Sequence, residues 1–182
     1  MSAGDTARAY YVALRGELNQ HLAIAHQTLY LYLGAVTALF GTTLTIDGKQ
    51  EILMIVPFLS LGASVIISHH ERVTGTIAAY CAKELDGFLH EIGEHAPQWD
   101  NSHALDIYQK DLLLTRLWGN SLIIILPALI ATIINWRFAI VFPGAMSWWL
   151  GIILEILSFS ALLRTFRYRQ KIKTWSRPRR KG

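Results

Sequence analysis

Four long apolar stretches constrain this chain more than any other feature of its sequence. They run from about Leu22 to Ile46, Ile52 to Ser68, Leu117 to Trp136 and Ala145 to Leu163. A helix needs about 20 mostly apolar residues to cross a hydrocarbon core of roughly 30 Å. The second stretch is the shortest and also fits a buried core helix, but a chain of 182 residues cannot cover four such stretches in one soluble core. We therefore predict an all-α membrane protein with four transmembrane helices.

The basic residues predict how these helices are oriented. Fifteen of the 17 Lys and Arg residues lie in three regions, 1–21, 69–116 and 164–182, whereas the links between the stretches hold Lys49 and Arg137. Cytoplasmic segments carry an excess of Lys and Arg, so both termini are predicted to be cytoplasmic. The first 20 residues are polar, and we expect no cleavable signal peptide.

The predicted organisation has five parts. A cytoplasmic N-terminal helix (1–21) precedes transmembrane helices 1 and 2 (22–68), and a cytoplasmic helical hairpin (69–116) precedes transmembrane helices 3 and 4 (117–163). A basic cytoplasmic tail (164–182) follows. Tryptophans near the ends of the apolar stretches suit the membrane interface, namely Trp118, Trp136, Trp148 and Trp149.

Two amphipathic stripes predict helices in the cytoplasmic layer. The first would continue the second transmembrane helix, end before Pro97 and be followed by a helix that Asn101 or Ser102 caps. It comprises Val73, Ile77, Tyr80, Cys81, Leu85, Phe88, Leu89 and Ile92. The second lies in the N-terminal helix and comprises Tyr10, Tyr11, Leu14, Leu18 and His21. We expect the stripes to pack together or against a neighbouring subunit.

Glu155 lies near the middle of the fourth apolar stretch, where an ionisable group is costly unless it is paired, protonated or in contact with water. One hypothesis places it in a pore, where a ring from four or more subunits would favour cations. The other makes it a neutral acid hydrogen-bonded to an adjacent helix. The candidate polar residues around it are Asn120, Asn135, Thr132 and Thr37.

Small residues recur every three or four positions in the first stretch, at Gly34, Ala38 and Gly41. In membranes such spacing lets helices approach closely, so we predict that this face packs against another helix.

The tail is strongly basic, which favours contact with anionic lipid at about 1 kcal/mol per charge and helps to fix the topology. Binding of nucleic acid is the alternative, with Tyr168 and Trp175 stacking on bases. The residues in question are Arg164, Arg167, Arg169, Lys171, Lys173, Arg177, Arg179, Arg180 and Lys181.

The histidines and the cysteine give no metal site. His90 and His95 are five residues apart, whereas a zincin motif needs histidines four apart. The single cysteine, Cys81, excludes an internal disulfide and is expected to be a small apolar filler. The sequence contains no Walker loop, nucleophile elbow or Rossmann fingerprint. We expect no metal, no cofactor and no enzymatic activity.

One short motif offers an enzymatic alternative. Arg15 and His21 are separated by five residues, in Arg-Gly-Glu-Leu-Asn-Gln-His. This spacing resembles the Arg-x(4–6)-His signature of HEPN ribonucleases, which implies that the two residues would serve RNA cleavage.

The order of features resembles a class of small bacterial membrane proteins. The residues that carry the resemblance are Tyr11, Leu14, Arg15, Glu17, His70, Ile77 and Tyr80. Such proteins are similar in layout to membrane effectors of antiphage systems, including accessory proteins of RNA-targeting CRISPR loci. The resemblance implies a homo-oligomer of the inner membrane that permeabilises it when a cytoplasmic sensor protein or nuclease signals.

We therefore expect a homo-oligomeric, channel-like effector of the inner membrane. The first alternative is a non-conducting docking protein that recruits a cytoplasmic partner through its acidic central helices or its basic tail. The second is the ribonuclease.

Overall fold

The computed structural model describes residues 3–46, 50–91, 103–141 and 144–176, and within these ranges the chain is helical except at Ile46, Asn135, Ile140 and Val141. Five α-helices are α1 (Ala3–Thr45), α2 (Val56–Tyr80), α3 (Asp86–Glu91), α4 (His103–Ile134) and α5 (Gly144–Ser176). Short 3₁₀ segments, Gln50–Ile55 and Trp136–Ala139, precede α2 and follow α4. The prediction of an all-α fold is confirmed.

The helices are longer than a membrane is thick. The 43 residues of α1 extend about 65 Å, so the predicted cytoplasmic and first transmembrane segments form one continuous helix. The second transmembrane helix continues through His69 and His70 as predicted, and a π-helical turn, Cys81–Leu85, joins it to α3. No residue pattern in the sequence indicates that turn.

The second apolar stretch begins differently from the prediction. Residues from Ile52 to Ile55 belong to the 3₁₀ segment, and the α-helix begins at Val56. Pro57 explains this start, because proline has no N–H to donate and suits the first turn of a helix. Leu53, in the 3₁₀ segment, is almost completely buried and anchors the segment in the core.

Helix α2 lies at the centre of the bundle and contacts α1, α4 and α5. It runs parallel to α5, because Pro57 packs near Gly151 at one end and Arg72 hydrogen-bonds Thr165 towards the other. Helices α1 and α4 run in the opposite direction. The four long helices α1, α2, α4 and α5 therefore alternate in direction along the chain.

The interior has two clusters. The first fills the membrane half and comprises Tyr32, Val36, Leu53, Val56, Ala63, Ile67, Ile124, Ala128, Ala131 and Leu162. The second joins the N-terminal half of α1 to the extension of α2, and its buried members are Ala7, Leu18, Ile77, Cys81 and Leu85. The predicted amphipathic stripes therefore pack against each other within one chain.

Three helices are long and apolar enough to cross a membrane, within Gly4–Thr43, Gln50–Leu89 and Gly144–Ile172. The fourth apolar helix, Trp118–Ile134, has 17 residues and falls just short of the usual length when only the described part of the chain is considered. Membrane-crossing length is thus confirmed for three helices, and the fourth crossing stays a prediction.

Several predicted features lie outside the described residues. They are the turn at Asp47–Gly48, the end of the helix at Pro97, the caps Asn101 and Ser102, and Pro143.

Candidate functional site

Glu155 makes a polar contact between α4 and α5 inside the bundle. Its side chain is 5% exposed, and Thr132 Oγ1 donates a hydrogen bond of 2.5 Å to Glu155 Oε1. Trp148, two helical turns before Glu155 on α5, donates from Nε1 to the Thr132 carbonyl oxygen at 3.0 Å. Of the four polar candidates considered from the sequence, Thr132 is the one whose bond to Glu155 is seen. This favours an acid bonded to an adjacent helix over a ring around a pore.

Asn135 ties the end of α4 to the segment before α2. It is 1% exposed, and its Nδ2 donates to the carbonyl oxygens of Gln50 and Ala131, both at 3.0 Å. Its Oδ1 atom has no hydrogen-bond partner among the described residues. Asn135 is therefore a buried junction between two connections, and Asn120 is half-buried on α4, away from the Glu155 bond.

A hydroxyl cluster that the sequence did not indicate joins α1, α2 and α4. Tyr32 Oη donates to the Ile124 carbonyl oxygen at 2.7 Å and lies 2.9 Å from Ser60 Oγ, which itself donates to the same carbonyl at 3.1 Å. The signal that could have found it is Pro127 within α4, because proline disturbs the backbone hydrogen bonds of the preceding turn.

Three serines of α2 are buried in the bundle, and Ser60 is the one that faces α1 and α4. Ser60, Ser64 and Ser68 are buried at successive turns, and the hydroxyls of Ser64 and Ser68 have no hydrogen-bond partner among the described residues. Pro57 meets Gly151, so Ser64 and Ser158, seven residues further along each helix, lie at the same level. Small side chains at this crossing let α2 and α5 pack closely.

Two histidines are in contact at the edge of the most apolar part of α1 and α2. His21 Nδ1 and His70 Nδ1 are 2.7 Å apart, and the ring of His69 lies beside that of His70 at 5.2 Å between centroids. Glu17 Oε1 lies 3.7 Å from His21 Nε2. Burial lowers the pKa of His70, and the neighbouring His21 and His69 lower it further.

An ion pair joins α2 to α5 at Glu71, the residue that follows His70. Arg169 Nη2 lies 2.7 Å from Glu71 Oε2, and the two side chains are 20% and 12% exposed. The Arg169 side chain passes over Gly75, because a Cβ atom added there would lie 2.8 Å from Arg169 Cδ. The guanidinium of Arg169 is thus engaged within the chain, and its assignment to lipid or nucleic acid stays a prediction.

The remaining basic residues of the tail divide into two groups. Arg164, Arg167 and Lys171 are exposed on α5, as contact with lipid requires. For the others no side-chain position is described, namely Lys173, Arg177, Arg179, Arg180 and Lys181.

The structure does not bring Arg15 and His21 together. Arg15 donates from Nε and Nη2 to Tyr11 Oη at 3.0 and 2.9 Å, whereas His21 contacts His70 on another helix. Within the described part of the chain, no group of three or more His, Cys, Asp or Glu side chains is placed to hold a metal ion. His95 lies outside the described residues.

The packing residues of the first stretch lie on an open surface. Gly34, Ala38 and Gly41 are exposed, and a Cβ atom added at either glycine would meet nothing within 4 Å. Thr37 and Gln27 are exposed on the same side of α1. We call these five residues the outer face of α1.

Comparisons of the chain with protein-family models, with curated proteins and with solved structures found no match. The resemblance in layout to small bacterial membrane effectors therefore stays a prediction from the sequence.

Proposed function

We propose that this chain is a four-pass protein of the bacterial inner membrane that assembles with copies of itself into a channel-like pore. The outer face of α1 would form the contact between subunits and line the pore. Both termini would lie in the cytoplasm, as the distribution of basic residues predicts.

The length of α4 supports a fourth crossing. Its apolar part, Trp118–Ile134, has 17 residues and extends about 26 Å, close to the roughly 30 Å of a hydrocarbon core, and the helix as a whole continues to 32 residues. It also runs antiparallel to α2 and α5, because Asn135 meets Gln50, and Thr132 meets both Trp148 and Glu155. An apolar helix that runs antiparallel to α2 and α5 fits the third crossing of a four-pass protein.

The outer face of α1 is the observation that carries the proposal. Its two glycines expose helix backbone, and the exposed side chains of Thr37 and Gln27 add a hydroxyl and an amide. Lipid tails offer this hydroxyl and this amide no hydrogen-bond partner, whereas a second helix or a water-filled pore does. Small residues at successive turns also let the backbones of two copies of α1 approach each other closely.

The other exposed surfaces of the bundle have a different composition. Exposed side chains on the membrane half of α4 and α5 are mostly large and apolar, which suits contact with lipid tails. They include Leu122, Leu126, Leu129, Ile130, Ile133, Ile153, Ile156, Leu157 and Phe159. On the membrane half of α1 the large exposed apolar residues are Tyr30, Leu31 and, at its end, Ile46. This asymmetry points to α1, rather than α4 or α5, as the side that meets another subunit.

The test is Gly34→Leu, with Gly62→Leu as the matched control. Both glycines are exposed in helices, and a Cβ atom at either would meet nothing within 4 Å, so neither substitution disturbs the packing within one chain. Gly62 lies among the exposed apolar residues Val65 and Ile66, where a leucine suits contact with lipid.

The mass of the purified protein is measured with bound detergent subtracted, and ion flux is measured in vesicles. We expect the unmodified protein and Gly62→Leu to form the same complex and conduct, and Gly34→Leu to lose both properties. A complex and a flux that persist in Gly34→Leu would contradict the proposed interface. A monomer that conducts no ions would favour the docking protein, with exposed Glu84 and Glu91 as candidate contacts for a cytoplasmic partner.

The resemblance in layout extends the proposal to its biological role. It implies an antiphage effector whose opening a cytoplasmic sensor protein or nuclease controls.

A further inference from the structure

His21 and His70 form a polar contact between α1 and α2 near the predicted cytoplasmic boundary. The two Nδ1 atoms are 2.7 Å apart, and the ring centroids are 5.0 Å apart. Both rings are half-buried. At this distance the two nitrogens share one proton, so that one imidazole donates and the other accepts.

The charged and titratable groups around the pair are few within the described side chains. From α1, Glu17 lies beside His21 Nε2, and from α2, His69 lies beside His70. Glu71, next to His70 in the chain, is directed to Arg169 of α5. Glu17 places a carboxylate beside His21. Burial lowers the pKa of His70, and the neighbouring His21 and His69 lower it further, so a second positive charge on the pair is opposed.

We propose that His21 and His70 form a proton-operated latch between α1 and α2. A neutral pair holds through one Nδ1–H donating to the other Nδ1, and a pair with one added proton holds through a charge-assisted bond of the same geometry. When both imidazoles are charged, two donors and two positive charges face each other and no acceptor remains. The contact then opens.

The direction of the pH dependence follows from proton counting. In the unfolded chain both histidines bind protons as the pH falls through about 6.5. The closed pair binds its second proton only at lower pH, so below about pH 6.5 the unfolded chain holds more protons than the folded chain. The latch therefore loses its contribution to stability as the pH falls through the binding of the second proton.

The consequence for the pore rests on the proposed function, whereas the latch does not. Helix α1 would carry the contact between subunits, and the latch holds α1 to the central helix α2. Acidification of the cytoplasm would release that hold and change how α1 is presented to the neighbouring subunit. The binding of a proton is thus the signal to which this site responds.

Nuclear magnetic resonance of the full chain in lipid nanodiscs tests the latch, with ¹⁵N-labelled histidine. His26, exposed on the same helix as His21, is the internal control. We expect the pair to titrate in two steps, the second at a lower pH than the signal of the control His26. In His70→Gln, His21 should titrate in one step. Two independent single steps for His21 and His70, each coinciding with His26, would overturn the proposal.

A distance measurement tests whether the second proton moves the helices. Spin labels on Ala13→Cys and Glu84→Cys, both exposed, are placed in a Cys81→Ser background. We expect the distance between α1 and the extension of α2 to lengthen or broaden through the second titration step, and to stay constant when both His21 and His70 are Gln. A pH-independent distance with the histidines present would refute opening. Neither experiment measures ion flux or subunit number. The proposal of the latch and the proposal of the pore are therefore tested independently.

Discussion

The hydroxyl cluster of Tyr32, Ser60 and the Ile124 carbonyl gives a sharp test of the packing in the membrane half. Three contacts of 2.7 to 3.1 Å share two hydroxyl protons, so two hydrogen bonds exist at any moment. The substitution Tyr32→Phe removes one proton and leaves Ser60 to donate to the carbonyl. The chain therefore loses one hydrogen bond and little packing.

The expected magnitude follows from this count. Hydrogen bonds between membrane helices contribute about 0.6 kcal/mol on average and at most about 1.7 kcal/mol. We expect Tyr32→Phe to lower the free energy of unfolding by about 1 kcal/mol. Tyr30→Phe is the matched control, because Tyr30 lies two residues away on the same helix and is 71% exposed. Its effect should stay within about 0.5 kcal/mol.

Combining Tyr32→Phe with Ser60→Ala extends the test. Each single variant leaves the Ile124 carbonyl one hydroxyl donor, whereas the double variant leaves it none, so the combined loss should exceed the sum of the single losses. Reversible unfolding in mixed detergent micelles measures the stability of the unmodified protein, the two single variants, the double variant and the Tyr30→Phe control. If Tyr32→Phe and Tyr30→Phe have equal effects, or if the double variant is additive, the shared carbonyl does not stabilise the junction.

Two further predictions concern the other polar contacts. Glu155→Gln keeps an acceptor for Thr132 Oγ1, so we expect unchanged stability and unchanged ion flux, whereas Thr132→Val should cost about 1–3 kcal/mol by depriving a buried acid of its donor. If Glu155→Gln abolished ion flux without lowering stability, the carboxyl group would have a role in conduction. Arg169→Ala should lower the free energy of unfolding by about 1–3 kcal/mol, between the values for exposed and buried ion pairs, and exposed Arg167→Ala by less than about 0.5 kcal/mol. Equal effects of the two arginine substitutions would contradict a stabilising role of the Glu71 pair.

The sequence predicts the helices well because hydropathy and the 3.6-residue period depend on local residue types. The stripe with Ile77 and Cys81 lies where the period predicts, and it packs on the stripe with Leu18. The sequence left open whether the partner was the same chain or another subunit. That choice depends on how two distant helices cross, which no local pattern contains.

Contacts between helices were harder to predict for the same reason. Glu155 had four polar candidates, and only the rotation of α4 against α5 selects Thr132. Arg169 was assigned with the rest of the basic tail, because its residue type does not reveal that Gly75 makes room for its side chain beside Glu71. The π-helical turn at Cys81–Leu85 likewise depends on the packing of the extension and not on a residue pattern.

The placement of polar groups separates the two sides of the bundle in a way that bears on function. On the side of α4 and α5, the buried polar groups Thr132, Glu155 and Asn135 bond within the chain, and the exposed surface is apolar. Such a surface is already suited to lipid and needs no neighbour. On the side of α1, glycine backbone and Thr37 are exposed. This difference between the two sides supports the proposed contact between subunits on α1. Because α1 is also the helix that the histidine pair holds to α2, proton binding at that pair acts on the side of the bundle where a second subunit would pack.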